Sequence, residues 1–180
     1  MKKVLKVVGL LLLAIIAFVL IAGLFISRSY HFQKEITTNA PQEKVWGYVS
    51  DFKQMDKWSP WKDKDPNIQL SYDGQDGAVG STYSWVGNKD VGSGSQTLTK
   101  SDPPHRIDTH LHFLKPFDAQ ADAFITLDGE NNATKVTWGF DSKYPYPLNG
   151  VMKMFMNMDK AMNDEFGSGL NKLKTLAESN

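Results

Sequence analysis

The stretch from Gly150 to Glu178 constrains this chain most. Apolar residues recur there as Val151, Phe155, Met158, Met162, Phe166, Leu170, Leu173 and Leu176. Steps of three and four put them on one face of an α-helix. The spacing predicts a single helix over 150–178, roughly 40 Å long at 1.5 Å per residue. Such a stripe needs a partner to bury it. The chain from Tyr30 to Ser142 reads as β-strands, so a curved antiparallel sheet is expected to grip the helix. Five of the seven methionines (152, 154, 156, 158 and 162) fall in this helix. Singly, each suits an ordinary core. As a cluster they suggest a pocket wall, because methionine adapts to varied apolar partners.

At the other end, Val7 to Ile26 is an unbroken apolar run, VVGLLLLAIIAFVLIAGLFI. Twenty residues of helix span about 30 Å, the thickness of a bilayer's hydrocarbon core. A cleavable signal peptide has a shorter apolar core and a small-x-small site. This run continues through Phe25 and Ile26 without one, so residues 1–28 are expected to be an uncleaved transmembrane signal anchor, with a cleaved signal peptide as the alternative. Lys2, Lys3 and Lys6 in front outweigh Arg28 behind. That bias predicts a single-pass protein with a cytoplasmic N-terminus and its globular domain, residues 29–180, on the outer side.

Charge and cysteine content exclude several classes. Three of the 20 basic residues and none of the 20 acidic ones lie in the first 26 positions, leaving 17 against 20 in the remainder. A general nucleic-acid binder would show a basic excess, so no nucleic-acid partner is expected. With no cysteine, disulfide scaffolds, thiol catalysis and cysteine-bound metals are ruled out.

Between the two ends the pattern is regular. His31 to Thr37 alternates as a first strand. Pro41 opens a short helix with Val45, Val49 and Phe52 as its apolar face. A second short helix follows over 53–58. Trp58 to Pro66 (WSPWKDKDP) reads as a loop whose tryptophans either plug the core or rim a pocket mouth. Six further strands are predicted near 68–73, 80–87, 90–100, 106–114, 118–128 and 134–142, separated by Gly-, Asn-, Asp- and Pro-rich turns. Gly92 and Gly94 sit inside a strand without matching a phosphate-loop spacing, and point to a bend or a close backbone approach.

In the order of these elements the chain resembles the START-like (SRPBCC) superfamily. The segments WSPWKDKDPN, GSTYSWVGNKDVGSGSQTLT, DPPHRI, HFLKPFDAQAD and TKVTWGF are similar to its polyketide cyclase/dehydrase and lipid transport branch. The resemblance covers about Tyr30 to Ala177. It implies an α+β helix-grip fold: a curved seven-stranded antiparallel sheet around a long C-terminal helix, with two short helices after strand one. It also implies an apolar cavity between sheet and helix. Members of the superfamily carry lipids or other hydrophobic ligands, or cyclise and dehydrate polyketides.

Strand alternation sorts residues by face. The inward set includes Tyr83 and Trp85, Gln96 and Leu98, Leu111 and Phe113, and Trp138. With Phe155, Met158 and Met162 from the helix, these ten residues are the expected lining of a ligand cavity. Ala119, Ala121 and Ala123 suggest space or a close approach there. His110 and His112 fall on the opposite, solvent face. Two histidines at i, i+2 without further ligands do not make a metal site. The expected interior holds Tyr, Trp, Gln and Thr as its polar groups and no carboxylate, lysine or histidine. Apolar walls with a few hydrogen-bonding groups describe a small-molecule pocket, whereas acid–base catalysis needs a positioned titratable group. Asp159 and Glu165 are the best acidic candidates, and a solvated helix face suits both. The expected function is therefore membrane-tethered binding of a hydrophobic small molecule or lipid, with the membrane engaged through residues 7–26. No catalytic residue, metal or cofactor is assigned. The alternatives are a polyketide cyclase or dehydratase, and an interaction module whose core is filled by its own side chains.

Overall fold

The computed structural model describes residues 1–179. In chain order the elements are α1 (Lys2–Phe25), β1 (Ser29–Thr38), α2 (Gln42–Val49), α3 (Phe52–Met55), α4 (Trp61–Lys64), β2 (Gln69–Asp73), β3 (Thr82–Val86), β4 (Ser93–Asp102), β5 (Arg106–Lys115), β6 (Ala119–Glu130), β7 (Ala133–Lys143), α5 (Leu148–Phe155) and α6 (Met158–Glu178). They form one seven-stranded antiparallel sheet in the order β1-β7-β6-β5-β4-β3-β2. This is the α+β helix-grip fold, with all seven expected strands present. The chain divides into two compact units: residues 31–142 with 161 onward, and residues 1–30 with 143–160.

The first unit holds the sheet and most of α6. Sequential hairpins from β2 to β7 keep neighbours in sequence adjacent in space, and turn chemistry fixes their register. Asn131 and Asn132 both have positive φ, 49° and 62°, and join Glu130 to its partner Ala133 in a two-residue turn. That is the type I′ geometry whose twist matches a hairpin. β4 starts at Ser93, later than its sequence pattern suggests, because Gly92 takes φ +70° at a turn. The register then shifts between Ser93 and Gly94.

Glycines within the strands lie opposite aromatic rings. Gly94 pairs with Trp85, and a Cβ on Gly94 would come within 2.6 Å of the Trp85 indole. Gly139 pairs with Phe124, and a Cβ there would come within 2.1 Å of its ring. In each case the ring lies over the glycine backbone and recovers contact area that the missing side chain cannot supply.

One face of the sheet packs on α6. Leu98, Ile107, Ile125, Leu127, Val136 and Trp138 meet Phe166, Leu170, Leu173 and Ala177 in a single buried cluster. At its centre the rings of Trp138 and Phe166 stack with centroids 3.9 Å apart and planes 15° apart. Trp58 and Trp61 then set their edges against Trp138 at 5.1 and 5.9 Å. Trp58 is almost wholly buried, and its indole N–H donates to the Tyr48 carbonyl at 2.9 Å. Of the two readings of this pair, the structure supports the core plug.

Local helix signals changed three boundaries. α3 begins at Phe52 rather than 53, because the Asp51 carboxylate accepts from the Gln54 N–H at 2.8 Å and caps it. Residues 61–64, read as loop, form the helical turn α4. The predicted helix over 150–178 is interrupted. Met156 is extended (φ −120°, ψ 127°), and the Asn157 side chain accepts from the Lys160 N–H at 3.0 Å to start α6 afresh. The long helix is thus α6, about 32 Å at 1.5 Å per residue, with α5 as a separate element.

The second unit pairs α1 with α5. α1 is long and apolar enough to cross a membrane, with a mean hydropathy of 3.1 over its most apolar 18 residues. A Cβ on Gly150 would lie 3.2 Å from both the Gly23 Cα and the Val19 carbonyl oxygen, so the two glycines bring the backbones together. Asn149 donates from Nδ2 to the Gly23 and Ile26 carbonyls at 2.7 and 2.8 Å. These are among the last carbonyls of α1, which have no partner within the helix.

Replacing Trp138 with alanine should destabilise the sheet–α6 unit by about 3–5 kcal/mol, the usual cost of emptying a large buried aromatic site. Urea unfolding should show a lower midpoint at unchanged slope. A loss below about 1 kcal/mol, the range of an average substitution, would mean the stack is dispensable.

Candidate functional site

The ten residues expected to line one cavity fall in two places. Tyr83, Trp85, Gln96, Leu98, Leu111, Phe113, Trp138 and Met162 lie in the sheet–α6 unit. Phe155 and Met158 lie in the α1–α5 unit.

In the sheet–α6 unit these side chains pack against one another. Tyr83 stands in an aromatic row with Phe52, Tyr72 and Trp85 at centroid distances of 5.8, 5.7 and 5.6 Å. Trp85 in turn meets Phe113 edge-on at 5.9 Å. Gln96 donates to the Thr109 hydroxyl at 2.9 Å, which donates to the Ala123 carbonyl at 3.3 Å. The space beside them admits no water molecule. Of the two readings of the β6 alanines, space or close approach, the cross-strand pairs favour the second. Leu111 pairs with Ala121 and Phe113 with Ala119 across β5–β6, and Phe140 pairs with Ala123 across β6–β7. Large residues directly opposite small ones take up the space, as close packing of interiors requires.

An open cleft of about 500 Å³ lies instead in the α1–α5 unit. The sequence builds it from the end of α1, the extended Ser27–Tyr30 segment, Tyr144, α5 and the break before α6. Met152, Met154, Phe155, Met156 and Met158 line it. The polar part of its lining includes Tyr30, Lys153 and Asp159. The Tyr30 hydroxyl donates to Asp159 Oδ1 at 3.0 Å, and its ring leans on Tyr144 at 6.1 Å. Burial, then the hydrogen bond and negative charge of Asp159, push the Tyr30 pKa far above the ordinary tyrosine value. Tyr30 is therefore a neutral donor at physiological pH and not a base. The exposed Lys153 ammonium adds a positive charge to a mixed wall, in which Ser27, Ser29, Asn149, Asn157 and the Asp159 carboxylate lie beside the methionines.

Sequence reasoning placed Phe155 and Met158 in a pocket lining and marked the methionine cluster. It missed Tyr30, Asn149 and Lys153. The available signal was Asn149-Gly150, a polar and a flexible residue at the head of an apolar helix. Of the acidic candidates, Asp159 belongs to the cleft, while Glu165 forms an ion pair with Lys64. His110 and His112 pair with Asp122 and Asp118 on the solvent side, at 2.8 and 3.2 Å.

The chain belongs to the family described as polyketide cyclase / dehydrase and lipid transport, whose model matches residues 29–178. Solved structures share the START-like fold at low identity. Protein Mll3558 from Rhizobium loti aligns with TM-score 0.62 at 14% identity, covering 82% of this chain and 96% of that one. Ara h 8.0201 aligns with TM-score 0.58 at 14% identity, covering 84% and 99%. The di-domain ARO/CYC protein BexL aligns with TM-score 0.59 at 14% identity, covering 85% and 51%. No curated protein matches this chain.

Three tyrosines set an alkaline limit on stability. Burial pushes Tyr83 far up, and burial with the nearby carboxylates of Asp56, Asp76 and Asp51 pushes Tyr72 up to about 12. With Tyr30, they keep their protons in the folded state after the unfolded chain has lost them near pH 10. The folded state then binds more protons, so stability should fall as pH rises through and above about 10. Denaturation midpoints measured on either side of that pH test this; a flat profile contradicts it.

Proposed function

We propose that this protein binds a hydrophobic small molecule or lipid while tethered to a membrane through residues 7–26, with its N-terminus cytoplasmic and the domain from residue 29 on the outer side. Family membership supports hydrophobic ligand binding or cyclase-type activity. The observation that carries the ligand-binding reading is the cleft. Its volume of about 500 Å³ falls within the usual range for ligand sites. Its methionines can adjust to ligands of different shape. Each 100 Å² of apolar ligand surface buried there gives about 2.5 kcal/mol gross, before ordering costs.

Within this reading Phe155 and Met158 line the site together with Met152, Met154 and Met156. The other eight residues, Tyr83, Trp85, Gln96, Leu98, Leu111, Phe113, Trp138 and Met162, would form a separate internal lining. That lining opens only if the aromatic packing around Trp138 parts.

A cyclase or dehydratase reading has one observation in its favour: the neutral Tyr30 hydroxyl held on Asp159 inside the cleft. On that reading Tyr30→Phe should abolish turnover of a polyketide substrate and spare its binding. If turnover survives, or is absent from the native chain, the enzyme reading fails.

For the binding reading, lipid extracted from the purified full chain should be detectable by mass spectrometry. Met154→Glu should weaken binding of an apolar fluorescent probe by at least about tenfold, or ~1.4 kcal/mol. Phe113→Leu should leave it unchanged. The reverse pattern would move the ligand into the sheet–α6 interior, and no lipid and no probe binding at all would end the proposal.

A further inference from the structure

Taking the α1 tether as given, the geometry points to a second membrane contact: the segment Tyr146–Met156, including α5, lies in the headgroup–acyl boundary of the bilayer. It does so as an interfacial element and does not cross.

Depth along α1 is the first argument. The Tyr146 hydroxyl donates to the Leu20 carbonyl at 3.1 Å, five residues before the end of α1 at Phe25. At 1.5 Å per residue that is about 7.5 Å inside the apolar run, the depth to which interfacial helices sink their apolar face. On the other side of Tyr146, the Arg28 guanidinium lies 5.9 Å from the ring centroid. A tyrosine between an apolar helix and a cation just beyond its end is the arrangement of a membrane-interface belt.

The second argument is exposure. Leu148, Phe155 and Met156 are 49%, 66% and 51% exposed. Single exposed apolar residues are ordinary, but these three share one short segment. That segment is clamped through Asn149 and Gly150 to α1, whose own Leu24 and Phe25 are bare as well. The contact fixes α5 to α1, so a bilayer that receives the last turns of α1 also receives α5.

Charge is the third. From residue 142 to 158 the chain has Lys143 and Lys153 and no acidic residue. With Arg28, this gives the segment a positive balance suited to phospholipid headgroups. Lys153 belongs both to this surface and to the cleft lining. The cleft is then entered from the bilayer, and its ligand class is an amphiphile whose polar head meets Lys153 and the Asp159 carboxylate while its apolar tail meets the methionines.

The chain has no cysteine, so single labels can be placed in the full-length protein. Leu24→Cys, Leu148→Cys and Phe155→Cys, each carrying an environment-sensitive fluorophore, would be reconstituted in phosphatidylcholine–phosphatidylglycerol vesicles. All three labels should shift their emission to the blue. They should be quenched by a nitroxide near the headgroup end of the acyl chain and resist aqueous iodide. If Leu24 behaves so but both 148 and 155 remain open to iodide and untouched by the nitroxide, this inference is overturned and the tether stands. If the Leu24 label is open to iodide as well, both fall.

Discussion

The face-to-face stack of Trp138 on Phe166 is the contact on which the sheet–helix unit rests. It joins the middle of β7 to the middle of α6, and two further tryptophans lean on it. Gly169 keeps the helix free of a side chain where the Trp138 ring passes, since a Cβ there would come within 2.9 Å of it. Buried aromatic side chains cover 150–250 Å² each and dominate core energetics. The polar groups nearby are satisfied where they lie: the Trp58 N–H by Tyr48, Gln96 by Thr109. The unit is thus held by interlocking rings.

Much of this was legible in the sequence. Period-two alternation and turn residues located all seven strands, because each strand has one buried face. Periodicity could not reveal the break at Met156–Asn157. The apolar stripe steps from Phe155 to Met158 to Met162 in phase across it, so hydrophobic spacing alone reports a continuous helix. The signal lay in Asn157, a residue whose side chain competes with helix and favours a cap. The tryptophans of the 58–66 segment were equally ambiguous in one dimension, since an indole suits a core or a rim. Only its partner, Trp138, decides.

The candidate site was less legible, and for a physical reason. Small residues on an inward strand face suit either space or a close approach. In a sheet, however, volume is shared across the ladder, so an alanine opposite a phenylalanine makes no hollow. The pairs Leu111–Ala121 and Phe140–Ala123, whose alanines are buried, show this twice over. The same rule covers the strand glycines under Trp85 and Phe124. A strand's inward list predicts a cavity only when its cross-strand partners are also small, and register is hard to read from a single strand. The cleft, by contrast, is assembled from residues around 26–30 and 144–159, more than 110 positions apart, whose meeting depends on the Asn149 clamp and the Gly23–Gly150 approach.

Where a ligand would bind follows from what each place must give up. To admit one between the sheet and α6, at least one large ring must swing into water. That forfeits about 4–6 kcal/mol at 25 cal/mol per Å² over 150–250 Å². This equals or exceeds the free energy of millimolar binding, about 4.1 kcal/mol. The α1–α5 cleft is already open, and its walls include methionines, which change shape by rotating single bonds instead of displacing rings. Its charged groups are two, the Asp159 carboxylate, which accepts from the neutral Tyr30 hydroxyl, and the Lys153 ammonium. A site with adaptable methionines beside one carboxylate and one ammonium selects for amphiphilic character more than for a fixed outline. The first unit is thus built on stacked rings, while the cleft of the second sets four thioethers beside the rings of Tyr30, Tyr144 and Phe155.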